Sequence, residues 1–176
     1  MRALLVALCL AAPAAAQVPS MHPGPVFPEV APVATIESDM PIPPAAVFKV
    51  TYDVTAQAQP GTANRAFETS ARFINSHVEA GVPEKNIDVA YVVHGKAIID
   101  LLKPAAYAAR TGGKANATAA LVEKLLAHRV NFYVCGQSAV AQGIANADLL
   151  PGVKMAISAS SAHALLGMQG YTLIPF

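Results

Sequence analysis

From Val47 onward the apolar residues fall alternately into strand and helix periods. The segment Phe48-Lys49-Val50-Thr51-Tyr52-Asp53-Val54 is rich in β-branched and aromatic residues and predicts a first strand. After a polar turn at Pro60-Gly61, Asn64 to Ala80 places Phe67, Ala71, Ile74 and Val78 at spacings of four, three and four. That spacing predicts an amphipathic helix closed by Gly81, with Arg65, Glu68, Arg72 and Glu79 on its polar face. Ile87 to Val93 is apolar except for Asp88 and predicts a second strand that delivers His94-Gly95 at its end. Lys96 to Tyr107 reads as helix broken near Lys103-Pro104, followed by the glycine-bearing loop Thr111-Gly112-Gly113-Lys114. Asn116 is placed to cap a helix whose Leu121, Val122, Leu125 and Leu126 form one apolar stripe. Then come a third strand at Val130 to Cys135, a short helix from Gln137 to about Asn146 and a turn at Pro151-Gly152. A strand at Val153 to Ser158, a helix from Ser160 to Gln169 and a strand at Tyr171 to Ile174 close the pattern.

Strands alternating with helices predict an α/β fold, a three-layer α/β/α sandwich on a mostly parallel five-stranded sheet. In such sheets reactive groups and ligands gather beyond the carboxyl ends of the strands. Asp53, His94 and Cys135 each fall at such an end.

The residues before Val47 behave differently. Arg2, the apolar run Ala3 to Ala12 and the small residues Ala14-Ala15-Ala16 have the parts of a secretory signal peptide, so residues 1–16 are expected to be removed and the protein to be periplasmic or secreted. The run is shorter than the about 20 residues a membrane span requires. Residues 17–46 hold eight of the fourteen prolines, which leaves few backbone donors for helix or sheet and predicts an extended arm or linker. The domain proper is expected over residues 47–176.

Without Arg2, eleven basic residues face eleven acidic ones, so no basic stripe is available for a phosphate backbone and nucleic-acid binding is disfavoured. The chain is 54% hydrophobic and 13% charged, a balance that points to surface buried between subunits of a homo-oligomer. No CxxC pair, GxSxG elbow, phosphate loop or GxGxxG fingerprint occurs, which disfavours the common redox, hydrolase and nucleotide-binding classes. No organic cofactor is expected.

Removing the signal also removes Cys9 and leaves Cys135 as a lone thiol, in Tyr133-Val134-Cys135-Gly136-Gln137-Ser138. A cysteine where a strand breaks into a helix faces unpaired amides and the positive end of the helix dipole, which favour a nucleophilic thiolate. The alternative is a buried structural thiol, since free cysteine packs as a small apolar residue. His94 is the candidate base or cationic partner if its strand neighbours that of Cys135; a structural histidine at a strand end is the competing reading. Asp53, Ser158, Ser160 and Ser161 are candidates for lining the same cleft, or for ordinary caps and turns. His22, His77, His128 and His163 form no metal-ligand spacing with Cys135 or with one another.

The segments Tyr133-Val134-Cys135-Gly136-Gln137-Ser138-Ala139, Gly143-Ile144 and Leu149-Leu150-Pro151-Gly152-Val153 resemble the DsrE/DsrF-like proteins, above all their exported, single-domain branch. The resemblance runs from Val47 to Phe176 and includes His94-Gly95 and the closing Gly170-Tyr171-Thr172-Leu173-Ile174-Pro175. It implies a homo-oligomer, a trimer or hexamer, and a sulfur-relay role in which Cys135 carries a persulfide between donor and acceptor proteins. It assigns no role to His94. Two other roles stay open on the residues themselves: a non-catalytic oligomeric module that binds a ligand or protein, and a periplasmic thiol redox sensor.

Overall fold

A computed structural model describes residues 20–175. The signal segment 1–16, with Cys9, lies outside them.

Five strands form one all-parallel sheet: β1 (Phe48–Val54), β2 (Ile87–Val93), β3 (Asn131–Cys135), β4 (Lys154–Ala156) and β5 (Thr172–Ile174), in the order β4-β3-β2-β1-β5. The helices are α1 (Glu68–Glu79), α2 (Pro104–Arg110), α3 (Ala119–Ala127), α4 (Gly136–Ala141) and α5 (Ala159–Met168). The expected α/β sandwich is therefore present, with helices on both faces. The faces are unequally covered. Val50, Tyr52 and Val54 of β1, the odd-numbered residues of β2, and Phe132 and Val134 of β3 point into the main core, beneath Phe67, Ala71 and Ile74 on one side and Leu121, Val122 and Leu125 on another. At its centre Tyr91 stacks on Phe132 with ring centroids 5.1 Å apart and meets Phe67 edge-on. Its hydroxyl accepts from the Ser70 N–H at 3.0 Å, and burial pushes that phenol well above its ordinary range.

The opposite face holds a smaller cluster, Ala90 and Val92 of β2 against Ala162 and Leu166, with Tyr133, Ala156, Ala159 and Tyr171 around it. Among the described residues the helical element packed there is α5 alone. Strand alternation puts Thr51 and Asp53 of β1 and Tyr133 and Cys135 of β3 on this same face.

Several elements are shorter than their periodicity suggests. The first helix begins as a 3-10 turn at Arg65–Phe67, and the expected helix at Lys96 is 3-10 over Gly95–Leu101 before Pro104 starts α2. The helix after Cys135 stops at Ala141 because Gly143 takes the left-handed conformation (φ 63°), and Asn146–Asp148 returns as a separate 3-10 turn. Asn116 is not the cap of α3, whose N-cap is Thr118. Its side chain instead accepts from the Thr118 N–H at 3.0 Å and donates to the carbonyls of Asp100 and Leu102. Asp100 itself is fully buried, and its Oδ2 accepts from the Ala58 N–H and from Asn64 Nδ2, both at 2.8 Å. Burial raises this carboxyl above its usual range, while those two hydrogen bonds pull the other way. The loops at the carboxyl edge of β1 and β2 are tied together by this group.

Residues 20–46 lie against the domain. Phe27, Ala31 and Val33 are buried, and Phe27 meets His128 edge-on at 4.6 Å. The anchor is Asn75 of α1, fully buried, whose Oδ1 accepts from the N–H groups of Val26 (3.0 Å) and Phe27 (2.8 Å) while Nδ2 donates to the carbonyls of Phe27 and Ala31. A side chain at Gly24 would overlap that of Asn75, so glycine is required there. The amide thus supplies the backbone partners that a proline-rich segment cannot find in a sheet. Asn75→Ala is expected to destabilise the fold by about 1–3 kcal/mol by orphaning buried backbone groups, and to speed proteolysis between residues 20 and 46. Denaturant unfolding and limited digestion with mass analysis measure both, and a wild-type digestion rate would refute the clamp.

Candidate functional site

The carboxyl edge of the sheet is organised around the junction of β3 and α4. Cys135 ends the strand and is the N-cap of the helix, with extended backbone (φ −66°, ψ 112°). It is 6% exposed and forms no disulfide. The next residue has no side chain for a specific reason. A Cβ on Gly136 would stand 2.6 Å from the Ala156 carbonyl oxygen and 3.2 Å from that of Ile157. Glycine therefore lets the end of β4 close onto the junction, and the chain that follows, capped by Ser158 through the Ser161 N–H, starts α5 over the thiol.

Cys135 Sγ consequently accepts hydrogen bonds from the first turns of two helices: the N–H groups of Gln137 and Ser138 and the Ser138 hydroxyl from α4, and the Ala159 N–H from α5. Burial is the largest single influence and pushes the thiol up, but the four hydrogen bonds act together against it, and the net direction is below the ordinary thiol value. Ser138 is itself fixed, its hydroxyl oxygen lying 3.4 Å from the Gly95 nitrogen. Gln142 Nε2 donates to the Gly95 carbonyl at 2.9 Å, joining α4 to the end of β2.

His94 follows Val93, which pairs with Val134, so one further step of the same register sets His94 beside Cys135 on the face that α5 covers. The sheet brings these two residues together. The imidazole, however, turns toward β1, where His94 Nε2 lies 3.1 and 3.0 Å from the two oxygens of Asp53. Asp53 Oδ1 is also 2.8 Å from Nε2 of His163 on α5. A single carboxylate thus joins two imidazoles, all three side chains being partly exposed. His163 Nδ1 is buried and finds no hydrogen-bond partner among the described residues. Of the cleft candidates, Asp53 joins the site, Ser158 and Ser161 form the N-cap of α5, and Ser160 is exposed. Among the described residues no group of three or more His, Cys, Asp or Glu is arranged to hold a metal ion.

A sequence profile of the DsrE/DsrF-like family matches residues 47–176. The chain belongs to the DsrE/DsrF-like family. Similar solved structures include a protein of unknown function, MTH1491, from Methanobacterium thermoautotrophicum, at 15% identity and a TM-score of 0.49, covering 72% of this chain and 97% of that one. Another is the ychN protein of E. coli, at 17% identity and a TM-score of 0.48, covering 72% of this chain and all of the other. A search of curated proteins finds no match. The matched residues of this DsrE/DsrF-like chain contain β1 to β5 and with them Asp53, His94, Cys135 and His163.

His163 was not singled out by sequence reasoning, which placed it on a helix and searched it only for metal spacing. The available signal was its position four residues after the start of α5, one turn from the amide that faces the thiol.

Ser138→Ala removes one of the four hydrogen bonds that favour thiolate, so the pH midpoint of Cys135 alkylation is expected to move upward and the rate near neutral pH to fall. The reagent rate across a pH series reads this. An unmoved midpoint would show that the Ser138 hydroxyl does not act on the sulfur.

Proposed function

We propose that this DsrE/DsrF-like protein is a sulfur-relay protein that carries sulfane sulfur on Cys135. The observation that carries the reading is the thiol's setting, in which four donors from two helix starts favour the thiolate at the end of a strand. In the loading step the Cys135 thiolate attacks the outer sulfur of a donor persulfide. A new S–S bond forms on Cys135, the donor's S–S bond breaks, and the donor leaves as thiolate. In the unloading step an acceptor thiolate attacks the outer sulfur of the Cys135 persulfide and Cys135 departs as thiolate, stabilised by the same four donors. Neither step changes the total number of electrons, so no oxidant or organic cofactor is called for. Donor and acceptor are thiol-bearing proteins or small thiols. The N-terminal segment of residues 1–16 supports export to the periplasm or beyond.

Incubation of the full chain with glutathione persulfide is expected to add one sulfur atom at Cys135, released as thiocyanate by cyanide, and Cys135→Ser is expected to take up none. Mass analysis of the cysteine peptide reads the adduct. Oxidation of Cys135 without any cyanide-labile sulfur would replace this reading with the redox-sensor one.

Self-association is part of the same proposal, as a trimer or hexamer. It is supported by a groove of about 390 Å³ between the β4 edge and α5, lined by Tyr133, Met155, Ile157, Leu165 and Leu166 among others. Ile157, Leu165 and Met168 beside it are 79, 56 and 84% exposed, more clustered apolar surface than a lone soluble domain ordinarily shows. Leu165→Glu is expected to convert the assembly to monomer in sedimentation velocity. A parent chain that already sediments as monomer would remove this part of the proposal.

A further inference from the structure

We infer that His94, oriented by Asp53 and His163, is the acid that protonates the outer sulfur of a Cys135 persulfide during unloading. This inference rests on the carrier reading of Cys135 and deepens it.

The chemical need is specific. A persulfide is more acidic than the corresponding thiol, so near neutral pH its outer sulfur is largely anionic and repels an incoming thiolate. A proton delivered to that sulfur makes it an electrophile and lets it leave with the acceptor as a neutral –SH. Written in full, acceptor thiolate, Cys135 perthiolate and imidazolium give the acceptor persulfide, Cys135 thiolate and neutral imidazole. One S–S bond breaks, one forms, one proton moves, and the net charge is −1 on both sides. The four donors around Cys135 serve the inner sulfur, which departs as thiolate. None of them releases a proton near neutral pH, so the outer sulfur requires a separate acid.

The fold places one there by two independent routes. On the sheet, His94 and Cys135 are neighbours across parallel strands, which run about 4.8 Å apart, and both project toward α5. Along α5, His163 is one turn beyond Ala159, whose N–H points at the thiol. A persulfide adds one S–S bond of about 2 Å beyond Sγ, which brings its outer sulfur closer to these neighbouring side chains than Sγ itself if it extends toward β2. Asp53 accepts from Nε2 of both rings, which fixes the orientation of His94 and leaves its Nδ1 as the nitrogen without a hydrogen bond among the described residues. His163 is the unfavourable choice for the acid. Its Nδ1 is buried and unpartnered, and placing a proton there would bury an unsatisfied N–H. The two imidazoles therefore divide the work: His163 holds Asp53, and His94, nearer to water, gives and regains the proton. Asp53 and His163 are positioning residues, and His94 is the group that touches the reacting atom.

The titratable groups around His94 are few. From β1 it meets Asp53, from β3 Cys135 and from α5 His163, while α4 carries no titratable side chain. Lys96, in the 3-10 segment after His94, is exposed.

The test uses the full chain loaded with sulfur from glutathione persulfide, the adduct first counted by mass, and then follows transfer to free glutathione across a pH series. In the parent, the transfer rate divided by the fraction of glutathione present as thiolate is expected to decline as pH rises. In His94→Gln it is expected to be about 100-fold slower, with that decline gone. Asp53→Asn is expected to be about 10-fold slower. His163→Gln, which keeps an N–H donor for Asp53, should transfer near the parental rate, whereas His163→Phe should resemble Asp53→Asn. The extent of loading and the melting temperature should be nearly the same throughout, while the rate of loading from glutathione persulfide, the reverse of this transfer, should fall in parallel. Loaded His94→Gln and Asp53→Asn proteins with parental rates and pH profiles would overturn the inference and leave the carrier reading standing. A parent that takes up no sulfur would overturn the carrier reading and this inference with it.

Discussion

The site depends on how closely the end of β4 approaches the junction of β3 and α4, and that approach requires position 136 to lack a side chain. Any Cβ there would sit inside contact distance of the Ala156 carbonyl oxygen. Pushing β4 outward would carry Ser158 and Ala159 with it, because the chain turns directly from the strand into α5. The Ala159 N–H would then leave the sulfur, and the N-terminus of α5 would no longer add to that of α4. Closeness of two backbones is thereby converted into the electrostatics of one thiol.

The strand order explains why the same helix also reaches the histidine pair. Strands β1 to β4 step across the sheet in one direction, and β5 then pairs with the far side of β1. The segment joining β4 to β5 must pass over β3, β2 and β1, and α5 is that segment. Its first residue lies over Cys135, its fifth over Asp53, and Ala162 and Leu166 fill the space over Ala90 and Val92 between the strands. A single ten-residue helix is thus the whole roof of this face, which leaves the groove beside β4 open and apolar. The opposite face carries the main core and most of the packing, and so leaves this one with exposed apolar and titratable side chains.

Strands β1 and β2 were legible to the residue, at Phe48–Val54 and Ile87–Val93, because apolar or β-branched runs coincide there with pairing of the two strands to each other along their whole length. The edge strand at Lys154–Ala156 is shorter than its apolar run, since only three residues find a partner before Ile157 turns toward α5. Cys135 and the carboxyl-end position of His94 were readable from the break between strand and helix. His163 was not, because its meaning comes from the crossing of α5, a property of strand order that no local period encodes. Asn75 was hidden for a related reason. A polar residue inside an amphipathic stripe looks like an error until the proline-rich arm supplies the backbone groups it satisfies.

Burial and hydrogen bonding act on Cys135 in opposite senses, and the proposed sulfur-carrier role has use for both. Exclusion of water raises the thiol, yet the same exclusion strengthens each N–H contact to the thiolate, so the donors win in a setting where exposed ones would be diluted by solvent. A cysteine only 6% exposed is a poor target for bulky reagents and stray oxidants. In the proposed persulfide the inner sulfur would keep these donors, and the outer one would be the atom offered to His94, which Asp53 joins to His163. Under the proposed relay the two sulfur atoms would have distinct surroundings, the inner one sheltered where it must leave as an anion and the outer one the atom to be handed on.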